Sequence, residues 1–134
     1  MNRLAADVLA GFRALDDLSG MTSDALDQCG IAGAVPGSVL RPTDPRARIV
    51  GQAITVLNRR LDRSVAAAVA TGKSSLGESK AHALAEPGDI LVIQGVEGIS
   101  SMGAISATTG RRRGEAGAIV DGAVRDIRIG EGWE

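Results

Sequence analysis

The sequence predicts one α/β domain spanning 1–134, with buried strands that are at least partly parallel, and three observations carry that reading. Short apolar runs at 50–57, 90–94 and 118–121 alternate with segments of helical spacing, as strand-helix-strand units do. Their alternation at short spacing points to a layer with buried strands. Finally, 134 residues suffice for one compact core and are too few for two ordinary domains. With one Phe, one Trp and no Tyr, that core has to be built from Ala, Val, Ile and Leu, and 18 glycines suit close backbone approaches.

In chain order, Leu4, Val8, Phe12 and Leu15 follow helical spacing, so 3–18 reads as an amphipathic helix stopped near Ser19-Gly20. A second short helix is expected from Thr22 or Ser23, either of which can cap it, to Gly30. Three of the four prolines fall within 31–48, which predicts an irregular or extended crossing. A strand follows at 50–57. The alanine-rich run RSVAAAVAT predicts a helix between Asp62 and Thr71, capped by Asp62 or Ser64. Another helix is expected over 77–85, ending before Pro87. Pro87-Gly88-Asp89 is a turn into the strongest strand, 90–94; a helix over 103–113 then leads to the strand at Ala118.

Composition excludes several function classes. Fifteen basic residues against sixteen acidic ones leave no global attraction to nucleic acid or anionic membranes. The one local cluster, Arg111-Arg112-Arg113, falls at a helix C-terminus where cations complement the dipole, and no aromatic residue adjoins it to stack on a base. A single cysteine, Cys29, rules out an intramolecular disulfide framework and is expected to be a small buried hydrophobe. No stretch approaches the roughly 20 apolar residues of a membrane span, and no signal-peptide pattern opens the chain. A cytoplasmic location is the expectation.

The densest chemistry lies at 117–126, GAIVDGAVRD, where an apolar strand ends in Asp121-Gly122 and then sets Arg125 beside Asp126. Strand exits are where α/β proteins keep ligands. A carboxylate there can hold a hard divalent cation while a guanidinium clamps a substrate carboxylate. From the residues alone, a surface ion pair accounts for the same pattern equally well.

The segments GKSSLGE (72–78), AEPGDILVIQG (85–95) and SSMGAISATTGRRRGEAGAIVDGAVRD (100–126) resemble the RraA-like family. That family contains the regulator of ribonuclease activity A and the metal-dependent 4-hydroxy-4-methyl-2-oxoglutarate aldolases. The most specific part is G-x-x-G-x-x-x-D-G-x-x-R-D, occupied by Gly114, Gly117, Asp121, Gly122, Arg125 and Asp126. The resemblance implies a layered αββα sandwich with a mixed or parallel central sheet, assembled as a homotrimer or homohexamer. It also implies a carbon–carbon lyase, an aldolase or decarboxylase that releases pyruvate from small 2-oxo acids such as 4-hydroxy-4-methyl-2-oxoglutarate or oxaloacetate. By the same resemblance Asp126 ligates Mg²⁺ or Mn²⁺, Arg125 binds the 2-oxo acid, and amides around Gly103, Ala104, Ile105 and Ser106 hold its carboxylate. The alternative within the family is a non-catalytic regulatory module with a protein partner.

Two departures bear on that implication. The position where the aldolases carry an acidic residue ahead of the Arg-Asp pair falls on Ala104, which cannot orient a metal-bound water. Glu78 or Glu97, from this chain or a neighbour, then becomes the candidate for proton transfer, although Glu78 equally suits a helix first turn. The chain also ends soon after Arg125-Asp126, shorter than family members run. Elsewhere, His82 is the only histidine and is expected to play a structural role on its helix. Lys73 and Lys80 read as solvated surface residues rather than Schiff-base lysines. Ser74-Ser75 and Ser100-Ser101 have no His/Asp set to activate them.

Overall fold

The computed structural model describes residues 2–62, 64–72 and 77–127, and the chain divides into two compact units, Met1–Gln52 and Ala53–Glu134.

In the first unit, α1 (Ala6–Ala14) and α2 (Leu18–Gln28) are followed by a stretch without helix or strand. The helix expected over 3–18 thus ends early: Leu15 takes extended backbone, and α2 begins at Leu18 and runs through Ser19-Gly20, the expected stop. The reason is a cap at Asp17, ahead of the expected Thr22 or Ser23. Asp17 Oδ1 accepts the Gly20 N–H at 3.0 Å, and Gly20 leaves room for that carboxylate because a Cβ there would collide with it. Two arginines strap the irregular segment to α1, Arg13 Nη2 donating to the Val50 carbonyl at 3.1 Å and Arg48 Nη2 to the carbonyls of Arg13 and Leu15. Asp44 is held below the ordinary carboxylate pKa, chiefly by the backbone N–H of Arg46 and next by its side chain. Cys29, expected inside, is exposed. It follows the last turn of a helix that buries no residue, so there is no interior for it to join.

The second unit holds β1 (Ala53–Leu57), α3 (Val65–Val69), α4 (Gly77–Leu84), β2 (Ile90–Gln94), β3 (Ser100–Met102), α5 (Ala104–Arg112), β4 (Gly117–Asp121) and β5 (Ala123–Val124). β1, β2 and β4 form a parallel sheet in that order, with Ala53 opposite Ile90 and Ile90 opposite Gly117. A second parallel pair, β3 with β5, has no counterpart in the sequence expectations. The expected strand at 50–57 begins at Ala53, where pairing with Ile90 starts. The helix expected between Asp62 and Thr71 contracts to five residues, with Ser64 Oγ accepting the Ala67 N–H at 3.2 Å. Ser74 and Ser75, like Lys73, lie outside the described residues.

The core comprises Ile54 and Val56 from β1, Leu91 and Ile93 from β2, Ala81 and Ala85 from α4 and its exit, and Met102. Leu91 and Ile93 are fully buried. Each such side chain contributes about 1.5–3 kcal/mol, against about 0–1 for an exposed ion pair, so the central strand dominates the unit's cohesion. At the entry end, two turns lock β2 to β4. The Gly88 N–H reaches the Gly114 carbonyl at 2.8 Å, Ala116 N–H reaches the Asp89 carbonyl at 2.8 Å, and Gly114 (φ 77°) packs against Pro87. The exit end is equally close-packed. The Gly95 N–H meets the Asp121 carbonyl at 2.7 Å, and a Cβ on Gly122 would stand 3.2 Å from Gly95 Cα.

Candidate active site

β4 leaves the sheet through Gly122, and β5 pairs with β3 so that the Arg125 N–H donates to the Met102 carbonyl at 3.0 Å. That register delivers Arg125 and Asp126 to the first turn of α5. Gly103 is its N-cap and has no side chain to satisfy the turn's amides. The carboxylate of Asp126 takes that place, with Oδ2 3.4 Å from the Ala104 nitrogen. It is turned there by a φ of 61°, a left-handed conformation that Asp tolerates better than most residues. Arg125 Nε lies 3.6 Å from the same oxygen, with side chains 71% and 41% exposed. An ion pair this long and open is weak. Both groups therefore remain available to a ligand.

The structure brings together four of the sequence-derived site residues: Gly103, Ala104, Arg125 and Asp126. Ile105, in the same turn, is 83% exposed. The N–H groups of Ile105 and Ser106 have no helical carbonyl behind them, so the turn presents amides and the positive end of the α5 dipole toward an anion. The Ser106 side chain, however, is buried and hydrogen-bonds His82. Ala104 brings a methyl group and no acid-base group to this turn. Glu78 opens α4 at the exit end of β1, where a Cβ on Gly77 would meet Val56 and Asn58, and its Oε2 is buried with no hydrogen-bond partner. Glu97 is exposed, in the turn that follows β2. Lys80 is exposed on α4. The Ser100 hydroxyl donates to the Met102 carbonyl rather than to a base.

A buried polar cluster lies behind this turn. His82 Nδ1 is 2.8 Å from Glu115 Oε1, and His82 Nε2 is 2.9 Å from Ser106 Oγ. When Nδ1 carries the proton it donates to the carboxylate, and Nε2 accepts from the Ser106 hydroxyl. Glu115 Oε2 has no partner and packs against Gly110, where a Cβ would stand 2.6 Å away. An unpaired buried carboxylate oxygen costs on the order of 1–3 kcal/mol. The sequence points to a structural role for His82 and does not single out Glu115. The available signal was a lone Glu between Gly114 and Ala116, directly ahead of an apolar strand.

Among the described residues no group of three or more His, Cys, Asp and Glu side chains could hold a metal. The donors do not suit zinc, which takes several protein ligands. A single partly exposed carboxylate does suit Mg²⁺ or Mn²⁺, which keep waters and substrate oxygens in their shells. By the chemistry of its donor, Asp126 fits that role.

Residues 20–131 match the RraA-like family, described as Aldolase/RraA. Among solved structures, an uncharacterized protein from Pseudomonas syringae pv. tomato str. DC3000 superposes with a TM-score of 0.72 at 28% identity, over 96% of this chain and 53% of that one. Streptomyces coelicolor RraAS2, described as an unusual member of the RNase ES inhibitor RraA protein family, superposes with a TM-score of 0.73 at 22% identity. That match covers 95% of this chain and 59% of the other, so the chain spans between half and three fifths of the length of these two structures. No curated protein matches the chain. Among the described residues no helix is long and apolar enough to cross a membrane.

Proposed function

The chain belongs to the RraA-like family, and on that premise we propose that it is a divalent-metal-dependent aldolase or decarboxylase that releases pyruvate from small 2-oxo acids. The observation that carries the reading is the convergence of Asp126, Arg125 and the first turn of α5 around Gly103. Asp126 would hold Mg²⁺ or Mn²⁺. When bound, such a cation supplies the Lewis acid for the 2-oxo oxygen, where charge collects as the carbon–carbon bond breaks. Arg125 clamps the substrate carboxylate through its planar fork, and the amides of Ile105 and Ser106 hold it from the helix side. In the aldol case the bond between C3 and C4 breaks, its electron pair moves toward the 2-oxo group, and the 4-hydroxyl loses its proton. In the decarboxylase case the C3–C4 bond breaks as carbon dioxide leaves and its electron pair moves the same way; in both cases a proton is then returned to C3 to give pyruvate.

Proton transfer is the part that Ala104 cannot perform, and Glu78 and Glu97 are the candidates for it. The same proposal includes the layered αββα sandwich and a ring-like trimer or hexamer, which light scattering would distinguish from a monomer. A coupled assay for pyruvate, with and without cation, tests the activity.

A non-catalytic regulatory module is the second reading, and the observation favouring it is the methyl group of Ala104 where an acid would serve. It predicts no turnover in the presence of Mn²⁺, and association with a protein partner.

A further inference from the structure

We propose that His82 and Glu115 are positioning residues that act through Ser106 to hold the first turn of α5 in the geometry that receives a substrate carboxylate. This inference rests on the function proposed above for that turn.

α5 has little apolar anchorage: its buried residues are Ser106 and Gly110, neither of which brings a large side chain to the core. A nine-residue helix is marginal without tertiary support. Its hold on α4 is polar and falls at three levels. Near its start, the Ser106 hydroxyl meets His82 Nε2 at 2.9 Å. In its last turn, Gly110 admits the Glu115 carboxylate and the His82 ring edge, which would stand 2.6 and 3.3 Å from a Cβ there. Past its end, Arg113 Nη2 reaches the carbonyls of Ala83 and Ala85 at 3.2 and 3.4 Å. Of these, only the Ser106 bond acts on the turn that carries the candidate site.

Pure cohesion does not explain the arrangement. Buried ion-paired and hydrogen-bonded sets stabilise no better than well-packed apolar residues of similar volume, and this one leaves Glu115 Oε2 unpaired. What a polar set adds is direction, since a hydrogen bond fixes angle as well as distance. Ser106 is two residues beyond Ala104, whose N–H faces Asp126. On a helix those positions point to opposite sides. The inward bond to His82 therefore sets the rotation at which the outward face meets Arg125 and Asp126.

The test is amide hydrogen exchange of the ligand-free protein, read at Ala107, whose N–H closes the first turn on the Gly103 carbonyl at 3.0 Å. Ser106→Ala should speed exchange at Ala107 about fivefold while Leu91 and Ile93 keep the parent rate. Ser106→Thr, which retains the hydroxyl, should restore it. Thr109→Ala, which removes a hydroxyl bonded only within α5 to the Ile105 carbonyl, should not speed it. In parallel, Ser106→Ala should weaken binding of pyruvate in the presence of Mg²⁺ about fivefold. An unchanged Ala107 rate, or equal acceleration at Ala107, Leu91 and Ile93, overturns the positioning role. A parent protein that binds no pyruvate overturns the proposed function instead, and the exchange data separate the two failures.

Discussion

Gly103 lies so close to Arg125 that a Cβ on it would stand 2.9 Å from the guanidinium Nε and 3.1 Å from Cγ. The same Cβ would also be 3.1 Å from Asp126 Oδ2. The obstructing atoms belong to exposed side chains, so the fold can absorb a methyl group by moving them. Gly103→Ala should therefore lower kcat/KM for pyruvate release by about ten- to hundredfold through misplacement of both groups. The thermal midpoint should fall only slightly, as expected for replacing Gly at an N-cap. Steady-state kinetics and a thermal melt read the two effects separately.

The buried end of α5 responds differently. Ala at position 110 gains about 1 kcal/mol of helix propensity over Gly. Its methyl would stand 2.6 Å from Glu115 Oε2 and 3.3 Å from His82 Cε1, inside the core. Overpacking of that kind costs about 1–3 kcal/mol, and displacing Glu115 also disturbs its bond to His82. Gly110→Ala is expected to destabilise the protein in urea unfolding. Equal or greater stability would show that the cluster yields freely.

Asp126→Asn should abolish metal-dependent pyruvate release more completely than Arg125→Lys. The first removes the charge that holds the cation, while the second keeps a positive charge and loses the fork geometry. Turnover across a Mn²⁺ titration decides this. Wild-type activity in Asp126→Asn at every concentration would remove Asp126 from the ligand role.

Ala104→Asp addresses the missing acid. A carboxylate at the first position of α5 could orient a metal-bound water, and such assistance is typically worth about 10²- to 10⁴-fold. The expected result is a higher kcat, read apart from any rise in KM caused by repulsion of the substrate carboxylate. No gain in a variant that folds and binds metal normally means either that another acid already serves or that the chain does not catalyse.

Much of the second unit was legible in the sequence because its signals are local. β2 is a continuous apolar run between Pro87-Gly88-Asp89 and Gly95, and it occupies the expected residues. α5 falls between Gly103 and Gly114, and β4 ends at Asp121 as the DGAVRD text suggests, although β5 then intervenes before Arg125 and Asp126. What stayed hidden depends on partners far away in sequence. β3 and β5 are three and two residues long and exist through each other. His82 and Glu115 are 33 residues apart, and nothing in either neighbourhood announces the other. The break between α1 and α2 falls ahead of the expected stop at Ser19-Gly20, because the apolar spacing runs on through Leu15 and Leu18 while the Asp17 cap decides the outcome.

The central claim is that the turn at Gly103 with Arg125 and Asp126 forms a pyruvate-releasing site dependent on a divalent cation. Its most direct test is a coupled assay for pyruvate from 4-hydroxy-4-methyl-2-oxoglutarate and from oxaloacetate, with Mn²⁺, with Mg²⁺ and with chelator. Enzyme-free controls are essential because the cation alone decarboxylates oxaloacetate. The account predicts release above that control on at least one substrate, lost on chelation and lost in Asp126→Asn. Pyruvate release no faster than the control on both substrates, by folded protein at saturating cation, would contradict it.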